Sequence, residues 1–140
     1  MFVETPLMSY YKYMKQSRNR RYVSKEGKVF VENITSKLKE HFPIFTTEVY
    51  VEITLYFEKR YRVRDVDNYG KVLMDCIEKS GVVSNDNLVK CLRVCKERVG
   101  GSGKCSESSV ECSESSVKCS GSSVEGVEIV IMDFEDINRV

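Results

Sequence analysis

A chain of 140 residues, 41% hydrophobic and 31% charged, has the material for one modest core and not for two. Its 22 basic and 21 acidic side chains leave a formal charge of +1, so any surface for nucleic acid has to be local. No apolar run approaches the roughly 20 residues of a membrane-spanning helix, and the first residues lack the basic-then-apolar pattern of a secretory signal. The six cysteines are therefore expected as reduced thiols in a cytoplasm.

Met1 to Glu4 reads as a short first strand that Pro6 ends. Ser9 to Tyr22 then interleaves tyrosines with Lys12, Lys15, Arg18, Arg20 and Arg21. Read as a loop, this composition suits a sugar-phosphate backbone, because rings stack on bases and cations neutralise phosphates. Tyrosines closing over the edge of the core are the equal alternative. Ser24 is the expected N-cap of a helix beginning at Lys25. Val29, Phe30, Ile34 and Leu38 are spaced to share its buried face. The helix should stop at His41, before Pro43, where an imidazole serves as a C-terminal cation or surface group rather than a base.

Thr47 to Phe57 alternates: Val49, Val51, Ile53, Leu55 and Phe57 on one face, Glu48, Tyr50, Glu52, Thr54 and Tyr56 on the other. A basic run follows, with Lys59, Arg60, Arg62 and Arg64, and then Asp65-Val66-Asp67-Asn68-Tyr69-Gly70-Lys71. A helix begins near Asp67 and is stopped by Gly81, with Val72, Leu73, Cys76 and Ile77 as its buried stripe. Asp67, Lys71 and Asp75 recur at i, i+4 and i+8 on another stripe. Two carboxylates at i and i+2, with a lysine one turn later, suit phosphoryl-transfer chemistry: the acids can hold a divalent cation and the lysine can meet charge on a phosphate. The plain alternative makes Asp67 an N-cap and Lys71 its salt-bridge partner, worth a few tenths of a kcal/mol. Gly70 in the first turn costs about 1 kcal/mol against alanine unless something must approach the backbone closely, a nucleic-acid strand being one candidate. A further acid, Asp86, comes after the helix has turned the chain back.

Leu88 to Val99 and Val127 to Phe134 read as strands that would make a hairpin but for the segment between them. That segment holds three near-copies of seven residues, beginning at Cys105, Cys112 and Cys119, behind a glycine-rich leader. Cysteine and valine are separated by five and two residues, not the three and four of a coiled coil. One valine per repeat cannot offset the entropy of ordering, so residues 100–126 are expected to be a flexible insertion. Zinc is disfavoured, since Cys91 and Cys95 within one strand would lie about 13 Å apart.

The run from Arg62 to Asp75, continued by Ser80-Gly81-Val82-Val83-Ser84-Asn85-Asp86, resembles the RusA family of Holliday junction resolvases. That family opens its helix with an Asp-x-Asp-Asn-x-x-Lys sequence and follows it with a Gly-Val turn and an acidic pair. The likeness covers the order of elements from about Arg21 to Val94 and the closing strand near Val127. Two departures stand out: Asn85-Asp86 replaces the pair of aspartates, and Pro6-Leu7-Met8-Ser9 replaces a Pro-Ser-x-Asn turn.

With the resemblance, the expected fold is α/β (α+β): a small mixed sheet packed with two helices in the order β-α-β-α-β-β, one domain over residues 1–140. The implied activity is hydrolysis of DNA phosphodiesters at four-way junctions by paired symmetric nicks, in recombination and repair. Asp65, Asp67 and Asp86 would bind Mg²⁺, with Mn²⁺ as the alternative, and Lys71 would steady the developing charge or position the water. Asn68 would hold the loop geometry. Without metal, three carboxylates together repel and raise one another's pKa, so that site is expected to be loose or partly protonated. Lys12, Lys15, Arg18, Arg20, Arg21, Arg62 and Arg64 would contact DNA. A homodimer is implied, with no membrane and no organic cofactor. Two rivals are a junction-binding protein without activity, which would not keep all the acids, and an Asp-x-Asp nucleotide-sugar transferase, for which the chain is too short and lacks a glycine-rich phosphate loop.

Overall fold

The computed structural model describes residues 1–59, 61–99 and 124–138. Its centre is the alternating stretch Val49–Phe57, strand β4, whose Val49, Val51, Ile53 and Leu55 are fully buried. Strand β5 (Val89–Arg98) runs parallel to β4 on one side, and β6 (Gly126–Asp133) runs antiparallel on the other. The short β1 (Phe2–Glu4) pairs outside β6, giving the order β1-β6-β4-β5. It is β4, and not only the intervening segment, that keeps the last two strands from forming a hairpin: β5 and β6 each pair with β4 and not with each other. A parallel neighbour requires a crossover, and the helix α3 (Val66–Ser80) supplies it between β4 and β5.

Ser9 to Tyr22, expected as a loop, is folded. It forms a one-turn helix α1 (Tyr10–Tyr13) and an antiparallel hairpin of β2 (Met14–Ser17) with β3 (Arg20–Val23). The observed order thus contains the expected β-α-β-α-β-β with α1, this hairpin and a short terminal helix α4 (Phe134–Asn138) added. Ser24 caps the helix α2 (Lys25–His41), accepting from the Gly27 N–H at 3.0 Å, and its hydroxyl also donates to the Lys12 carbonyl at 2.9 Å. One serine so joins the helix to the hairpin.

On α2 the buried residues are Gly27, Phe30, Val31, Ile34 and Leu38. Val29, expected among them, is 67% exposed. At about 100° per residue it lies one step behind Phe30 and rotates off the face that Val31 completes. On α3 the expected stripe Val72, Leu73, Cys76 and Ile77 is buried as the spacing requires, and α2 and α3 pack together over the sheet. Gly81 ends α3 at φ 77°, a left-handed conformation that glycine adopts without steric cost. The opposite face of β4 carries half-buried Tyr50, Glu52 and Thr54, with the Tyr50 hydroxyl donating to Glu52 at 2.9 Å. No helix of the described residues is long and apolar enough to cross a membrane.

The Ser/Cys repeat lies outside the described residues. Its expected C-terminal boundary moves, however, because Gly126 belongs to β6 and Glu125 is tied into the fold. The Glu125 carboxylate accepts from the Leu7 N–H at 3.1 Å and from the Glu58 N–H at 3.2 Å. At Gly126 a Cβ would sit 2.3 Å from the Val3 carbonyl oxygen, so the close approach of β1 requires glycine there.

Candidate active site

The chain leaves β4 through a 3-10 turn, Tyr61–Val63, and enters α3 at Asp65. That turn is fastened to β5. The Lys96 ammonium donates to the Tyr61 carbonyl at 2.9 Å and the Arg64 carbonyl at 2.8 Å, and lies 4.7 Å from the centre of the Tyr61 ring. Arg64, expected on DNA, is folded inward: it donates to the Tyr69 hydroxyl at 3.0 Å and lies over the Phe57 ring at 5.6 Å. Arg62 is exposed. Asp65, rather than Asp67, is the cap of α3, with its Oδ1 accepting from the Asp67 N–H at 3.1 Å.

Along α3, from Val66 to Glu78, opens a cleft of about 660 Å³. Asp67, Lys71 and Asp75, the polar stripe of the helix, line one wall, and Asp86 lines it from the turn before β5. Asn85, standing where the family has its first aspartate, caps that turn by accepting from the Asn87 N–H at 2.9 Å. The departure therefore keeps a local role that fixes Asp86. Gly70 is buried, and the group that approaches it is Val94 of β5, 3.4 Å from an ideal Cβ position. A methyl there would make only an ordinary van der Waals contact, so packing against β5 does not by itself demand glycine.

Two further cleft residues come from the N-terminal region, Tyr10 of α1 and Arg21 of β3. The Lys71 ammonium lies 5.5 Å from the centre of the Tyr10 ring. Arg21 is far from the acids along the chain, and the hairpin brings it to them. Asp75 was legible as the third member of the polar stripe, whereas nothing local to Tyr10 or Lys96 marks either residue. Lys12 pairs with Glu26 at 3.7 Å, Lys15 is exposed on β2, and Arg18 and Arg20 stand at the hairpin turn. Asn68 sits in the first turn of α3, where its N–H donates to the Asp65 carbonyl at 3.1 Å.

The cleft holds four carboxylates, Asp67, Asp75, Glu78 and Asp86, against two cations, Lys71 and Arg21. Among the described residues none of the six makes an ion pair within 4.0 Å; the ion pairs there are Lys12–Glu26 and Lys90–Glu48. Nor do three histidine, cysteine or acidic side chains of the described residues form a ready metal-binding group. Asp67 and Asp86 share the cleft, but Asp65 remains at the helix cap outside its lining. The donors are hard carboxylate oxygens in a site with excess negative charge, which fits a hard divalent cation by chemistry and charge. Behind the cleft wall, burial pushes the Cys76 thiol up to about 12. Lys79 is raised by its hydrogen bond to the Tyr13 hydroxyl, 3.2 Å away, a contact that ties α3 to α1.

The sequence pattern of the family "Endodeoxyribonuclease RusA" matches residues 5–104. The crossover junction endodeoxyribonuclease RusA of Aquifex aeolicus (strain VF5) is 41% identical over an alignment of 83 residues that covers 51% of this chain and 65% of that protein. The chain thus spans less than two thirds of this relative's length. The protein of the same name from Escherichia coli O139:H28 (strain E24377A / ETEC) is 32% identical over an alignment of 95 residues that covers 66% of this chain and 78% of that one. A solved structure, the C-terminal domain of Helicobacter pylori MotB, covers 91% of this chain at 16% identity and a TM-score of 0.35, too weak a likeness to support any reading. The family match spans well over half of the chain and includes the helix start, the turn and the acids that line the cleft, so this chain belongs to the RusA endodeoxyribonuclease family.

Proposed function

We propose that this chain is a divalent-metal-dependent endonuclease that resolves four-way DNA junctions by paired nicks, acting as a homodimer in the cytoplasm during recombination and repair. One observation carries the reading: in a member of this family, Asp67, Lys71 and Asp86 line a single open cleft beside α3. The names of the two bacterial relatives, both crossover junction endodeoxyribonucleases, point the same way.

Asp67 and Asp86 would hold Mg²⁺ or Mn²⁺, with Asp65 as the third carboxylate at the helix cap. When bound, such an ion supplies a water of lowered pKa and neutralises charge on the scissile phosphate. The protein's own part is positioning and electrostatics. Lys71 projects from the second turn of α3 and is steadied over the Tyr10 ring, where its ammonium meets charge developing on the phosphate. Lys96 holds the turn that presents Asp65, and Asn85 holds the turn that presents Asp86. Lys15, Arg18 and Arg20, on the hairpin that projects beside the cleft, would neutralise phosphates of the junction arms. Two symmetric nicks need two such sites, which a two-fold dimer provides.

The alternative, a junction-binding protein without cleavage, draws on the acids of the described residues not converging into a group of three. The two readings part in one experiment: the protein is incubated with a labelled four-way junction and with a linear duplex of equal sequence, with and without Mg²⁺. Nicks in the junction alone, and with Mg²⁺ alone, are expected. Binding of the junction with no product in Mg²⁺ or Mn²⁺ would favour the alternative.

A further inference from the structure

We propose that Arg21 acts at the scissile phosphate as the second cation of the cleft, a catalytic residue beside Lys71, and does not track the duplex arms with the other hairpin arginines. The inference rests on the nuclease reading above and adds to it a residue that comes from a different part of the chain.

Strand alternation separates Arg21 from its neighbours. In the hairpin Met14 pairs with Val23, Lys15 with Tyr22, Gln16 with Arg21 and Ser17 with Arg20. Side chains two apart on a strand share a face. Met14 and Val23 pack against the core, so their face is turned to the body of the protein. Arg21, two residues from Val23, lies on that face and lines the cleft with Asp67, Lys71 and Asp86. Arg20 and Tyr22 fall on the opposite face by the same alternation and do not line the cleft, although all three side chains border a shallow recess at the hairpin turn; Tyr22 is 50% exposed.

The base of the hairpin is anchored. The Ser24 N–H donates to the Tyr13 carbonyl at 2.8 Å, its hydroxyl donates to the Lys12 carbonyl at 2.9 Å, and Tyr13 is buried. Arg21 lies three residues from that anchor, and its exposed side chain lines the cleft.

Its chemistry fits the place. A guanidinium stays charged at any working pH, and its fork can meet two oxygens of one phosphate. Arg21 shares the cleft with four carboxylates, yet no described carboxylate lies within 4.0 Å of it as an ion-pair partner. Its charge is available to an anionic ligand. With a divalent cation offsetting the excess of acids, Lys71 and Arg21 are the protein's own groups in the cleft that can answer charge building on the phosphate.

The test compares two quantities on a labelled four-way junction: the binding midpoint in Ca²⁺ and the single-turnover cleavage rate in Mg²⁺ at saturating protein. Arg21→Gln should lower the saturated rate by about 10- to 100-fold while its midpoint stays with that of the wild type. Arg21→Lys, which keeps the charge without the fork, should recover part of the rate. Arg20→Gln, on the opposite face, should instead raise the midpoint. Thermal melts of each variant show whether it is folded, and Arg21→Lys guards against a fold defect peculiar to the neutral variant. If Arg21→Gln cuts at the wild-type rate once saturated and only its midpoint moves, Arg21 tracks the arms and the inference fails while the nuclease reading stands. A wild-type protein that cuts no junction overturns both.

Discussion

The turn that presents Asp65 hangs on one side chain, and removing its charge should be measurable in stability and in cleavage. Lys96→Met keeps the length and the apolar stem but deletes the ammonium that donates to the Tyr61 and Arg64 carbonyls at 2.9 and 2.8 Å. A hydrogen bond from a charged donor contributes about 1.5–3 kcal/mol net. Lys96 is only half-buried, so water can replace part of that contribution. The reciprocal bond from the Tyr61 hydroxyl to the Lys96 carbonyl, 3.3 Å, survives the substitution. Together these give a loss of about 2 kcal/mol, which corresponds to roughly 4–8 °C in Tm for a domain of this size. Urea denaturation followed by far-UV circular dichroism measures it, with an unchanged m-value showing that the folded and denatured states are otherwise alike. Because the turn leads directly into the cap of α3, the saturated cleavage rate should fall more than junction affinity does. A change below about 0.5 kcal/mol, the usual range for a surface substitution, would mean that the turn is held by something other than Lys96.

Gly126→Ala should destabilise the protein by about 3 kcal/mol, because the added methyl meets the Val3 carbonyl and β1 must move away; a urea titration with a wild-type midpoint would refute that. Arg18 is held at φ 55°, where a non-glycine residue costs about 1 kcal/mol or more. Arg18→Gly should therefore raise Tm slightly while lowering the salt slope of junction binding by about 0.9, since one phosphate fewer is neutralised, and a lower Tm would count against the strain. Replacing residues 100–123 with a short glycine-containing link should leave stability within about 1 kcal/mol, since β5 ends and β6 begins on either side of β4, a gap of two strand spacings or about 10 Å. Removing Glu125 as well should cost more, through the Leu7 and Glu58 N–H groups it leaves unpaired.

Local signals were read well where they were complete within a few residues. The alternation of Val49 to Phe57, the cap at Ser24, the left-handed stop at Gly81 and the buried stripe of α3 all stand as the spacing demanded. What escaped was set by pairing between distant segments. A parallel partner such as β5 leaves no turn beside it in the sequence, so nothing local shows that β4 lies between two strands adjacent along the chain. The real hairpin, Met14 to Val23, turns at Arg18-Asn19, without the Asn-Gly or Gly-x pair that marks such turns. Its burial against the core is what carries Arg21 to the acids, which spacing along the chain could not convey. Arg64 shows the same limit: an arginine in a basic run reads as a DNA contact, but Phe57 and Tyr69 turn it inward. The stripe of Asp67, Lys71 and Asp75 was visible as a periodicity, while its facing wall, Asp86 with Tyr10 and Arg21, depended on tertiary packing.

The central claim is that the acidic cleft beside α3 is the site of cleavage, and Asp67→Asn tests it most directly, because it removes one charge from the cleft and leaves the shape of the side chain in place. Single-turnover cleavage of a labelled four-way junction in Mg²⁺ is measured beside junction binding in Ca²⁺. The account predicts that cutting is abolished while binding is retained or tightened, the variant having less negative charge facing the phosphates. Cleavage at the normal rate by Asp67→Asn would place the chemistry elsewhere.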